Sequence, residues 1–192
     1  MLDKKDIARI VKVFESYDTQ RENLIKASRD VIKASKQLIY ALHRDDKASA
    51  KKLKEKITKS YKAMQTISAK HEQLNSVGPC RIAVQEYVEA LCYYGYVVEN
   101  KIPNSTTLDV DPKLYILGLC DLTGELVRKA INDAIHGNTA SAFKIKQLVE
   151  EIYGQLLLFD FRQSEFRKSF DRIKYDLRRL EDVALDLKIK NA

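Results

Sequence analysis

For its first forty residues the chain carries apolar side chains at helical spacing, with no glycine or proline to break the run. Ile7, Ile10, Val11, Phe14 and Tyr17 are followed by Leu24, Ile25, Val31, Ile32, Leu38, Ile39 and Leu42. Their steps of three, one and three residues draw one broad stripe along a long helix. Asp18, Arg21, Ser28 and Ser35 interrupt that stripe. A helix of this length covers its stripe best against another long helix. Asp45 and Asp46 offer a cap for one, whose apolar face runs Leu53, Ile57, Met64, Ile67, His71 and Leu74. The pair predicts an antiparallel helical hairpin over residues 1–77, ended by Gly78-Pro79.

The remaining chain keeps the same character. Only 6 Gly and 3 Pro punctuate 192 residues, which excludes a sandwich of short strands, and 32% charged residues with no Trp suit long amphipathic helices. A third helix is expected over 80–100 and a loop over 101–113. Asp111-Pro112 reads as N-cap and first position of a fourth helix that runs to His136 and stops at Gly137. A fifth follows over 139–158. The last, over 164–190, carries an a/d seam of Phe166, Phe170, Ile173, Leu177, Leu180, Ala184 and Leu187. The expected fold is all-α: a single domain over 1–192 of six or seven mostly long antiparallel helices. It divides into a basic hairpin (1–77), acid-bearing helices (80–136) and C-terminal helices (139–190).

The net charge of +7 is concentrated in the hairpin, where 18 Lys and Arg face 10 Asp and Glu; the rest of the chain is close to neutral. Such a balance attracts phosphate backbones, although lysines also simply solvate long helices. Cys80, Cys92 and Cys120 show no metal spacing and sit in apolar stretches, as reduced thiols of a cytoplasmic protein would. No apolar run approaches the length of a membrane span and no signal-peptide core is visible, so no membrane partner is expected.

Two segments carry chemistry. From Ile82 to Val98 the strongly polar residues are Gln85, Glu86 and Glu89, the two acids sharing one helix face. From Leu114 to Val127 they are Asp121, Thr123 and Glu125, with Asp121 and Glu125 again on one face. Gly118 and Gly124 lie nearby and suggest the close approach of a backbone or ligand. Carboxylates entering a core need cations. If the two helices pack together, the four acids form one pocket. Hard oxygen ligands without His or thiolate favour Mg²⁺ or Mn²⁺, and with them phosphodiester or phosphoanhydride chemistry. Equally open is a set of buried salt bridges to Arg81, Arg128 or Lys129.

The histidines add little. Asp133-x-x-His136 is not a di-iron motif, and His136 reads as a cation at a helix C-terminus; His71 reads as a core histidine or a phosphate contact, and His43 as a surface residue. Tyr87, Tyr93, Tyr94 and Tyr96 are better explained by packing than by base stacking.

At these segments the sequence resembles the translin family, in its catalytic, factor-X-like type. The resemblance is carried by Gln85-Glu86-Tyr87-Val88-Glu89-Ala90 and by the run Tyr115 to Leu126 with Ile131-Asn132 and Gly137-Asn138. Ser28-Arg29-Asp30, Ser35-Lys36 and Leu42-His43-Arg44 match the family's first helix, and Lys174-Tyr175-Asp176 with Leu177 to Leu187 looks more like translin itself. The resemblance implies an all-α fold, a closed hollow oligomer that binds single-stranded RNA (or single-stranded DNA) inside, and Mg²⁺-dependent endoribonuclease activity. It places the family's acids on Glu86, Glu89 and Asp121, with Glu125 as a fourth. The mixture of features from both subunit types implies a homo-oligomer, an octamer, with assembly alongside a translin-like partner subunit as the alternative. Lys62, Lys70 and Arg81 are the expected RNA contacts. Two other functions stay in view: an RNA-binding protein without chemistry, and an all-α nucleotide pyrophosphohydrolase. The second expects a following Glu-x-x-Asp, and the order and spacing of Asp121 and Glu125 depart from it.

Overall fold

A computed structural model describes residues 2–70, 74, 77–162 and 164–190. Seven α-helices and no strand occur among them: α1 (Lys4–His43), α2 (Lys47–Ser68), α3 (Gly78–Tyr94), α4 (Ser105–Leu108), α5 (Pro112–Ile135), α6 (Thr139–Leu156) and α7 (Ser164–Lys190). The all-α expectation holds. The backbone groups into two compact units, Met1–Tyr87 and Val88–Ala192, the division falling within the sequence of α3.

In the first unit α1 and α2 form the hairpin. Asp3 caps α1 by accepting from the Lys5 and Asp6 amides, and Asp46 caps α2 by accepting from the Ser49 amide. Asp45 makes the turn with a positive φ of 56°. Leu24, Val31, Leu38 and Leu42 of α1 are buried, as are Ala50, Ile57, Tyr61 and Met64 of α2. Ser28 and Ser35 do not interrupt this interface; both are fully buried. Their hydroxyls donate to Leu24 O (2.8 Å) and Val31 O (3.0 Å), so each is a small residue that carries its own acceptor. The N-terminal half of α1 is different. No described residue before Leu24 is buried, and Ile7, Val11 and Phe14 are 40%, 48% and 66% exposed.

Two expected boundaries shift. The second helix stops at Ser68, and Gly78-Pro79 opens α3 instead of closing the hairpin. A proline in the first helical turn loses no hydrogen bond, because the first amides of a helix have no intrahelical acceptor. His71 lies outside the described residues. Tyr87 is buried against Tyr61, their rings stacked with centroids 4.0 Å apart, which settles it as a packing residue.

In the second unit α5 packs against α6 and α7, and α6 against α7. Leu122, Leu126, Ile145, Val149, Ile173 and Leu180 form its core, with Cys92 and Tyr93 fully buried. Phe166, Ile173 and Leu180 of the α7 seam are thus covered from within the chain, and Phe170 stacks on Tyr153 at 5.0 Å. The seam is therefore used in part within this unit, while Leu177, Ala184 and Leu187 stay half-buried. Asp111 and Pro112 start α5, and Gly137 follows it at φ +82°. His136 stands at that end, its Nδ1 2.7 Å from Asn132 O.

The third helix ends in a wider π turn, Gly95–Glu99, and the following segment is not a plain loop, because Asn104 caps the single turn α4. Lys101 N donates to Gly95 O at 3.0 Å, and Tyr115 Oη donates to Pro103 O at 2.9 Å. Burial pushes the Cys92 thiol up to about 12, away from reactive thiolate. At Gly95 the returning backbone comes so close that an added Cβ would overlap Lys101 O and stand 2.8 Å from Pro103 Cδ. Gly95→Ala is therefore expected to lower stability by about 1–3 kcal/mol through overpacking. Gly154→Ala, where a Cβ meets nothing within 4 Å, is expected to hold or raise the melting temperature, read by circular dichroism.

Candidate functional site

The four acids sit as half-buried carboxylates on helices that are apolar over most of their surface. Glu86 and Glu89 lie one turn apart on α3; Asp121 and Glu125 lie one turn apart on α5. In the first unit Lys36 Nζ of α1 approaches Glu86 Oε1 to 3.5 Å, with the Glu86 side chain only 21% exposed. In the second, Arg172 of α7 donates to Asp121 Oδ1. Arg128 Nη1 stands 3.9 Å from Glu125 Oε2 on α5 itself. Glu89 is also engaged. Among the described residues no group of three or more His, Cys, Asp and Glu side chains is gathered closely enough to hold a metal ion.

Of the cations weighed as partners from the sequence, Arg128 meets Glu125. Lys129 is committed elsewhere, 3.0 Å from Asp133 Oδ2, whose carboxylate also accepts from Ser141 Oγ at 2.6 Å. Arg81 lies half-buried near the start of α3. Lys36 and Arg172 were not anticipated. Arg172 precedes the seam residue Ile173, but helical period alone does not say which acid that flank faces. Gly124 is also corrected: it is exposed and a Cβ there meets nothing within 4 Å, so no backbone or ligand needs it. Gly118 is buried.

Behind Asp121 a second layer joins α5 to α7. Thr123 is fully buried, its Oγ1 2.7 Å from Asp176 Oδ2 and 2.9 Å from Cys120 O. The hydroxyl has one proton, and the nearer, negatively charged carboxylate oxygen takes it. Burial raises the Asp176 carboxyl above its ordinary value, opposed by the Thr123 hydrogen bond and by the charges of Arg172 and Arg179. Burial alone would lower Arg172, but the hydrogen bond and charge of Asp121 outweigh it and raise that guanidinium.

Lys62 and Lys70 are exposed near the C-terminal end of the hairpin's second helix, Lys70 Nζ 3.2 Å from Gln20 Oε1. A second basic face was not singled out from the sequence. On α1, Arg29, Lys33 and Lys36 line an open groove of about 610 Å³ with Ile32, Gln37 and Tyr40. Its signal was present in the spacing of three and four residues between these side chains.

The translin family model matches residues 19–191. An uncharacterized protein of Methanocaldococcus jannaschii is 31% identical over 154 residues, 79% of this chain and 68% of that protein. Translin-associated protein X of Pongo abelii is 27% identical over 217 residues, covering 89% of this chain and 73% of its own length. The crystal structure of apo-NeC3PO is 32% identical, with a TM-score of 0.88 over 96% of this chain and 97% of that one. The structure of the AfC3PO–duplex RNA complex, 23% identical, has the same fold, with a TM-score of 0.88 over 96% and 97% of the two chains.

The two layers of the second unit are expected to differ in weight. Arg172→Met breaks a half-exposed pair and is expected to change stability by less than about 1 kcal/mol. Thr123→Val leaves the Asp176 carboxylate without its donor and is expected to cost about 1–3 kcal/mol. Paired urea melts decide this; equal losses would show the Asp121 pair to be structural.

Proposed function

The chain belongs to the translin family, and from that premise we propose that it binds single-stranded RNA and hydrolyses it as an Mg²⁺-dependent endoribonuclease. The observation that carries the proposal is the placement of Glu86, Glu89, Asp121 and Glu125 as half-buried carboxylates on two largely apolar helices. Four acids at such positions are costly in a protein that only binds. The donor set, hard oxygens without thiolate or imidazole, suits Mg²⁺ or Mn²⁺ by its chemistry. When bound, the metal lowers the pKa of water and offsets charge on the scissile phosphate.

The chain's own residues divide the remaining work. Glu86, Glu89 and Asp121 are the proposed ligands, and Asp121 would have to release Arg172 to serve as one. Glu125, whose guanidinium partner stands off at 3.9 Å, completes the ligand set or takes a proton from the attacking water. Lys62, Lys70 and Arg81 remain proposed phosphate contacts. The pairing of Glu86, Asp121 and Glu125 with cations favours a second function, RNA binding without chemistry.

Labelled single-stranded RNA and nucleoside triphosphates, each with and without Mg²⁺, separate these. Parent protein is expected to cut RNA only with metal and to leave triphosphates intact. Glu89→Gln and Asp121→Asn are expected to slow cleavage roughly a hundredfold or more while retaining RNA affinity. Binding without cleavage in the parent would establish the second function, and triphosphate hydrolysis a pyrophosphohydrolase.

We further propose a closed homo-oligomer, an octamer, working in the cytoplasm. No described helix is long and apolar enough to cross a membrane, and the uncovered stripe of Ile7, Val11 and Phe14 suits burial against another subunit. Light scattering at micromolar concentration is expected to show a stable oligomer that Phe14→Asp reduces in mass. A parent monomer would remove this model.

A further inference from the structure

The groove on α1 carries features that the assembly does not use and that meet the acids only where Lys36 pairs with Glu86. Arg29, Lys33, Lys36 and Tyr40 are all exposed, and with Ile32 and Gln37 they occupy one face of the helix over three turns. Successive cations are three and four residues apart, which sets them about 4.5–6 Å apart along the axis. That spacing is of the same order as the distance between successive phosphates of one strand. Their aliphatic stems and Ile32 give the groove apolar walls, while the charged heads stay in water. At one end Lys36 reaches Glu86, so the row of cations terminates beside one of the four acids. At the same end Tyr40 is 57% exposed, and the Arg44 guanidinium lies 5.6 Å from its ring centroid. An exposed phenol ring held in this way offers a flat apolar surface with a cation on it.

We infer that this groove is a single-strand RNA track in which Arg29, Lys33 and Lys36 hold consecutive phosphates and Tyr40 stacks one base next to Glu86. The inference rests on the proposal that RNA is the ligand. The strand is single rather than paired because a ring stacks only on a base that is already out of a duplex. The three cations carry affinity without sequence preference, and the tyrosine carries a contribution that salt does not screen.

The two parts are separable by salt. The full chain is titrated by fluorescence anisotropy with a labelled single-stranded RNA in EDTA, so that metal-dependent cleavage does not intervene. Ionic strength is varied between about 50 and 200 mM. R29Q/K33Q/K36Q is expected to flatten the slope of log affinity against log salt by about 2, since each single-strand phosphate contact contributes about 0.7. Y40A is expected to weaken binding roughly tenfold with the parent's slope unchanged. K51Q/K52Q/K56Q removes the same charge from exposed positions of α2 and is expected to keep the parent's slope. All the substituted side chains are exposed, and matching thermal melts confirm that the variants are folded.

If the parent binds but the α1 triple variant keeps its slope, or the α2 control flattens it equally, the groove is overturned while the proposed function stands. Unchanged affinity in Y40A, or equal competition by a duplex of the same sequence, overturns the single-strand stacking. If the parent binds no RNA, the proposed function fails first and the groove with it.

Discussion

A carboxylate carried on a helix that is apolar on nearly every side has to be met by a cation, or by a group that does the same electrostatic work. That requirement organises much of the molecule. Glu86 draws Lys36 from α1, Asp121 draws Arg172 from α7, and Glu125 takes Arg128 from its own helix. None of these pairs is deeply buried, so their contribution to stability is small and their partners are exchangeable. The deep polar contact, Thr123 with Asp176, lies one layer back and holds α5 to α7.

The apolar framework around the acids uses small side chains where helices must come near or turn. Ser28 and Ser35 satisfy their hydroxyls on their own helix, so the α1–α2 interface buries them without an unpaired donor. Gly95 allows the backbone to return against the π turn, and the Tyr115 hydroxyl then fastens that segment through Pro103. The acids of the second unit are thus held by elements whose own ends are tied down by caps and hydrogen bonds.

Much of this was legible in the sequence because helical period and capping chemistry are local. The α1 stripe, Asp46 and Asp111 as N-caps, Pro112 as a helix starter and Gly137 past the end of α5 all read directly from neighbouring residues. The acids stood out as polar residues on faces that should be apolar. What the sequence left hidden depends on which face meets which helix. Arg172 looks like any charged flank of the α7 seam until α7 lies on α5, and Lys36 looks like a solvated lysine until α3 brings Glu86 beside it. Gly78-Pro79 was ambiguous for a related reason: the same two residues can close one helix or open the next. The basic row of α1 was hidden by abundance, since lysines crowd the whole hairpin.

The helix α1 is continuous in hydrogen bonding but not in burial. Residues 4–23, roughly 30 Å of helix, contribute nothing to the buried interior, whereas the half from Leu24 onward lies against α2. In an isolated subunit the amides of the first half depend mainly on intrinsic helical propensity and an Asp3 cap, with an exposed contact from Lys70 to Gln20 near its end. Such a segment opens at low free-energy cost. Its hydrogen exchange then reports its own local opening, while that of the second half reports loss of the hairpin. One helix therefore carries two clocks, and covering the first half makes them run together.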